Sequence, residues 1–220
     1  MLIPLTQEKF QELIPKVATG EQYKYCWGKP SDLLKRLLIS VVGVVVVFII
    51  KNILPEGLSL LEFIVGIFVS FYWLWGPAYL AGRRNAELRR YKYGGFLQGE
   101  VVDVFVTEEL VGTEETVNKR GELVIVENRE RRLNLEVEDD TGFVTKLQVP
   151  LKREHRSIRR GDLAEMIVMS NRADLSRISS VSDLYLPDYD LWVSDYPYLR
   201  RDLFLDVSRR LGQGRSPRRR

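Results

Sequence analysis

The sequence predicts an α+β membrane protein: a two-helix transmembrane hairpin followed by a small antiparallel β-barrel-like soluble domain of the OB or SH3 type. Three observations predict it. Apolar residues are concentrated between Leu33 and Gly82, although the mean hydropathy of the whole chain is only -0.15. After Gly94 and Gly95 the apolar period changes from helix-like to two. Basic residues crowd both ends of the apolar region and are sparse in its middle, the asymmetry that orients membrane helices. With 45% hydrophobic and 29% charged side chains over 220 residues, the composition excludes a disordered chain, a collagen-like repeat and a disulfide-stapled miniprotein.

Residues 1–32 read as an N-terminal amphipathic segment. MLIPLTQEKFQELIPKVATG lacks the basic start, unbroken apolar middle and small-residue cleavage site of a signal peptide. Thr6 can cap a short helix on which Phe10, Leu13, Ile14 and Val17 share one face. That face is expected to pack on the rest of the protein, the alternative being a helix lying in the lipid interface.

Residues 33–92 read as the transmembrane hairpin and a stalk. Pro30, Ser31 and Asp32 open a helix whose apolar run LLISVVGVVVVFII has no polar face, and Leu33 to Leu54 would cover about 33 Å. Lys35 and Arg36 are expected to extend toward the headgroups. Pro55 and Gly57 supply the reversal. The second span is expected from Phe63 to Gly82, with Tyr72, Trp73, Trp75 and Tyr79 as interfacial aromatics, Glu62 solvated at its start, and Gly76 and Pro77 as the place for a kink. RRNAELRRYKY continues it as a stalk. Lys16, Lys24, Lys29, Lys35 and Arg36 flank one end, and Arg83, Arg84, Arg89, Arg90 and Lys92 the other, against Lys51 alone near the turn. Both termini are therefore expected on the cytoplasmic or stromal side.

Residues 94–186 read as the small β domain. Val102, Val104 and Val106 alternate with Asp103 and Phe105, and 133–149 forms a hairpin about Asp139, Asp140, Thr141 and Gly142. Further strands are expected at Leu123–Val126, in LAEMIVMS, and around Ser176 to Val181. Residues 187–211 read as a C-terminal helical segment starting at Pro197, with Leu199, Leu203, Phe204 and Val207 on one face. Residues 212–220, GQGRSPRRR, read as a disordered basic tail.

Motifs for catalysis, phosphate binding or metal ligation are missing: Walker A, G-x-S-x-G and H-E-x-x-H do not occur. The single histidine, His155, is expected in an exposed loop, and the single cysteine, Cys26, as a packing residue. Glu136, Glu138, Asp139 and Asp140 lack the spacing of a calcium loop and read as a solvated strand end. No enzyme activity, cofactor or metal is expected. The best soluble contact features are the basic stretch Lys152, Arg153, Arg156, Arg159 and Arg160 and the apolar face Leu199, Leu203, Phe204 and Val207, a charged rim and an apolar centre for a partner or for lipid headgroups. Residues 93–220 carry 21 basic and 23 acidic side chains, which argues against nucleic acid as the partner.

LIPLTQEKFQELIPKVATGEQYKYCWGK, VVGVVVVFII and FYWLWGPAYLAGRRNAELRRYKY resemble an uncharacterised family of cyanobacterial and chloroplast two-span membrane proteins, often loosely labelled phosphate transporter permeases. The resemblance implies a thylakoid or other cyanobacterial membrane and a connection with photosynthetic complexes, and it carries over no functional residues. Two helices alone enclose no substrate pathway. The expected function is thus a non-enzymatic membrane adaptor, an assembly factor or accessory subunit of a larger membrane complex. The alternatives are a transporter or channel component and a membrane-anchored RNA- or polyanion-binding module.

Overall fold

The computed structural model describes residues 1–53, 59–117 and 121–212; the expected turn at Pro55 and Gly57 and the tail beyond residue 212 lie outside the described residues. The chain divides into two compact units, one of residues 1–13 and 91–220, the other of residues 14–90.

The first unit is a mixed α+β structure on one antiparallel sheet. Its strands are β1 (Leu2–Leu5), β2 (Tyr93–Val117), β3 (Leu123–Glu138), β4 (Val144–Pro150), β5 (Leu163–Ser170), β6 (Ser180–Leu186) and β7 (Leu191–Val193). The order is β4-β3-β2-β5-β6-β7, with β1 also paired to β2. β2 changes partner along its length: residues 94–97 lie between β1 and β5, and from Glu100 onward β3 replaces β1 on the same edge. An irregularity between Val101 and Asp103 marks the changeover.

Period-two alternation sends one set of side chains into a single core: Leu97 and Val101 of β2, Leu133, Leu135 and Val137 of β3, Leu147 and Val149 of β4, and Met166, Leu184 and Val193 of β5 to β7. Both ends of the strand order contribute to it, so the sheet is curled about its own apolar face. The opposite face of β2 and β5 carries Phe96, Ile167 and Met169, all buried. There α6 (Arg201–Gly212) packs Phe204 against Phe96, with ring centroids 5.5 Å apart. The short α1 (Gln7–Leu13) lays Phe10 over Gly94. A Cβ at Gly94 would stand 2.3 Å from Phe10 Cδ2, so the close approach requires glycine there.

This unit differs from the sequence reading in four places. LIPL, within the expected amphipathic segment, is a strand, because it pairs with the free edge of β2. Helix α1 stops at Leu13, since Pro15 forces the residue before it out of the helical region. The sixth strand lies at Ser180–Leu186, and 191–193, inside the expected helical segment, is the seventh. Helix α6 starts at Arg201 and not at Pro197: the backbone N–H groups of Tyr198 and Leu199 donate to the Asp183 carboxylate at 2.9 and 3.4 Å, and that of Arg200 to the Leu13 carbonyl.

The second unit is helical: α2 (Gly20–Trp27), α3 (Pro30–Lys51), α4 (Ser59–Ser70) and α5 (Tyr72–Leu88). Thr19 caps α2, accepting from Gln22 N at 3.3 Å while the Gln22 side chain accepts from Thr19 N at 3.1 Å. The buried amides of Gln22 and Asn85 then bond reciprocally at 3.0 and 2.8 Å, tying α2 to α5. Helix α3 is long and apolar enough to cross a membrane, and only 11% of its apolar window is buried, unlike the core helix of a soluble protein. The second apolar segment, expected as one span from Phe63 to Gly82, is broken into two helices. α4 and α5 meet at a 75° bend with Phe71 between them, and the bend is not at Gly76 or Pro77. Arg36 is not extended either: it is buried, donates to the Cys26 and Trp27 carbonyls and lies 5.2 Å over the Trp27 ring.

Candidate docking surface

The basic stretch forms the connection from β4 to β5, built on a 3-10 turn at Arg153–Ser157. His155 and Ile158 are its buried anchors. His155 is 2% exposed, correcting the expected loop histidine; its Nδ1 accepts from Lys152 N at 3.2 Å, and its Nε2 is buried with no hydrogen-bond partner. Burial, with the Lys152 charge added, lowers its pKa and keeps it neutral. With the turn pinned from inside, Lys152, Arg153, Arg156, Arg159 and Arg160 are all exposed. Arg160 pairs with Asp103 and Lys152 approaches Glu154 at 3.9 Å, while Arg153, Arg156 and Arg159 make no ion pair among the described residues.

The expected apolar face on the C-terminal helix divides in two. Leu199 and Phe204 are buried in the interior of their own unit, where Phe204 also meets Tyr185 and Trp192 at 6.2 and 5.1 Å. They are core residues and present no surface to a partner. Leu203 and Val207 are half-buried and line a cleft of about 220 Å³ between α1 and α6 with Lys9, Glu12, Asp206 and Arg210.

Sequence reasoning missed an exposed arm built by β2 and β3. β4 accompanies β3 only from Arg132 onward, so beyond that point β2 and β3 continue as a two-stranded ribbon, Thr107–Val117 against Leu123–Arg132. Eleven residues at about 3.4 Å each give the arm a reach of about 35 Å. At its base Asn134 Nδ2 donates to Thr107 Oγ1 at 2.9 Å, Gln148 Nε2 to Glu109 Oε1 at 2.6 Å, and Arg132 pairs with Glu109 and Glu130, each at 3.2 Å. A second irregularity between Leu110 and Gly112 precedes an apolar outer half. Leu123 is 75% and Ile125 69% exposed, with Leu110, Val111, Val117 and Val126 exposed too. The register puts Val117, Leu123 and Ile125 on one face and Val126 on the other. The signal was present as two runs of similar length without a helical period on either side of NKRGE, VTEELVGTEETV and LVIVENRERR.

Other polar groups serve the interior. Asp139 is buried and closes the 139–142 turn, its Oδ1 accepting from Thr141 N at 2.8 Å and Phe143 N at 3.1 Å; it is not a solvated strand end. Glu165 accepts from Gln98 at 2.8 Å. Burial pushes the pKa of Asp183 up to about 7 against the hydrogen bonds from Tyr198 and Leu199 and the nearby charge of Arg201. Burial also raises the Cys26 thiol. Among the described residues no group of three or more His, Cys, Asp and Glu side chains is placed to hold a metal ion.

A family of unknown function, DUF8619, matches residues 3–216, and the chain belongs to that family. Neither a curated protein nor a solved structure matches it.

Proposed function

We propose that this DUF8619 chain is a membrane-anchored adaptor without enzymatic activity, an assembly factor or accessory subunit of a larger membrane complex. The apolar α3 and the α4–α5 segment form a two-span hairpin that holds the chain in the bilayer. The curled, barrel-like sheet unit stands on the side of the positive flanks, cytoplasmic or stromal. The resemblance to cyanobacterial and chloroplast proteins makes the thylakoid the membrane to examine first. Side chains that bear chemistry elsewhere, His155, Asp183 and Glu165, serve here as buried anchors.

The observation that carries the reading is the β2–β3 arm. A two-stranded ribbon is marginally stable in water, and an exposed apolar edge invites pairing. An extended arm with an apolar outer half and a charged, self-paired base fits a groove or sheet edge on a partner protein, with the basic turn as a charged rim.

Substituting Leu123→Lys and Ile125→Lys tests this, since both positions are exposed and surface changes typically move stability by only about 0.5 kcal/mol. After mild detergent extraction from native membranes, the wild-type chain should migrate in a larger complex. The double variant should migrate alone. A variant that stays in an unchanged complex refutes the arm as the docking element.

A further inference from the structure

Building on the proposed membrane anchor, we infer that α5 lies in the polar–apolar boundary of a lipid bilayer, so that the second apolar segment is a bent insertion and not a straight span. α4 has 12 residues, about 18 Å, against an apolar layer of about 30 Å. It runs antiparallel beside α3: Glu62 and Phe63 line a small cleft with Val44, Val47 and Lys51, and a Cβ on Gly43 would stand 2.3 Å from Val69 Cγ1. The 75° turn comes where α4 has drawn level with Ser40, one turn inside Arg36 on α3.

The bend is supported at the backbone groups it frees. Opening a helix at Phe71 leaves nearby N–H and C=O groups without their partners, which inside a membrane is costly. Trp75 Nε1 donates to the Phe68 carbonyl at 2.8 Å, and Trp73 N donates to Ser40 Oγ at 3.2 Å. Within the first turn of α5, Tyr23 of α2 donates its hydroxyl to the Leu74 carbonyl at 2.9 Å. Two of these three bonds come from aromatic side chains with polar tips.

The side chains around the bend are those of a bilayer boundary. Three of the four tryptophans, Trp27, Trp73 and Trp75, gather there. Trp27 meets Tyr23 and Trp73 at 5.6 and 6.3 Å, and Trp75 meets Phe68, Tyr72 and Tyr79 at 4.4 to 6.1 Å. Exposed Leu74, Tyr79 and Leu80 continue the apolar surface of α3 and α4, and exposed Arg83, Arg84 and Arg90 follow within the next turns, matching anionic headgroups. A 75° departure from α4 thus carries the uncharged first half of α5 along the boundary, where aromatic rings with polar tips are most stable.

Depth measurements on the full chain decide this. With Cys26→Ser as background, single cysteines at Ile64, Ile67, Phe71, Leu74, Leu80 and Ala86 receive a nitroxide, with Val42 and Val46 of α3 as references. The labelled proteins are placed in phosphatidylcholine–phosphatidylglycerol vesicles. Collisional accessibility to oxygen and to a water-soluble nickel complex then gives depth. Depth should change steadily from Ile64 to Phe71 and level off at the boundary from Leu74 onward, varying only with the helical period. A steady change of about 1.5 Å per residue through Leu74, Leu80 and Ala86, as a straight helix requires, overturns the inference while leaving the two-span anchor intact. Water accessibility at Val42 and Val46 overturns both.

Discussion

Asp183 ties the C-terminal segment to the sheet, and its titration sets a pH dependence whose sign is fixed by burial. The carboxylate is fully buried on β6 and accepts from the Tyr198 and Leu199 amides that lead into α6. Burial raises its pKa to about 7, outweighing those hydrogen bonds and the attraction of Arg201. In the opened chain the group returns to the ordinary value near 3.9. Between these values the folded state holds a proton that the opened state has lost, so stability falls as pH rises from about 4 to about 7 and then levels off. A shift of about three units corresponds to a loss on the order of 4 kcal/mol over that window.

Asp183→Asn removes the titration. The amide oxygen can still accept from Tyr198 N, while the longer bond from Leu199 is lost at a cost of about 1 kcal/mol. The assay is hydrogen exchange of the full chain in detergent at pH 5, 6, 7 and 8, corrected for intrinsic rates and read on peptides covering 196–211. The wild type should open more readily at each step up to pH 7, and the variant should be nearly flat. Parallel pH dependence in the two proteins, or wild-type protection that increases with pH, would refute the reasoning.

Gly94→Ala should weaken the seat of α1 by about 1–3 kcal/mol, since its Cβ would meet the Phe10 ring at 2.3 Å; exchange of the 7–13 amides should rise, and Phe10→Leu in the same chain should recover part of the loss. Gln22→Leu and Asn85→Leu each strand a buried amide and should cost about 1–3 kcal/mol singly, with the double variant costing less than their sum. Thermal unfolding in detergent, followed through the helix signal, measures that coupling.

The sequence shows those parts of the fold that depend on periodicity within one segment. The apolar run of α3 and the alternation of β3 and β4 around the 139–142 turn are local patterns, and both are present. What escapes it depends on a distant partner. LIPL is not picked out as a strand because nothing near it reveals that Leu2 will pair with Leu97. His155 looks exposed among KREHRSIRR, although the turn needs one buried ring to close on Lys152 N. Leu199 and Phe204 share a helical period that a docking face would also show, and only Phe96, Tyr185 and Trp192 reveal that the face is already occupied. The bend at Phe71 is hidden for the same reason: Pro77 is the stronger local breaker, but Ser40 on another helix and the Trp75 ring accommodate the freed groups six residues earlier.

The distribution of exposed apolar surface is the strongest argument for an adaptor. A monomeric soluble protein rarely leaves large contiguous apolar patches uncovered, yet this chain has two in separate compact units. In the proposed membrane anchor, lipid would cover α3 and α4, whose exposed side chains are almost all aliphatic or aromatic. It does not suit the β2–β3 arm, where apolar residues alternate with glutamates such as Glu115 and Glu127 on the same face as Val117 and Ile125. Carboxylates are repelled by anionic headgroups and costly in an apolar layer, whereas a protein groove can offer each one a donor. The proposed adaptor therefore assigns the two patches two kinds of cover, a bilayer for the helices and a protein for the arm.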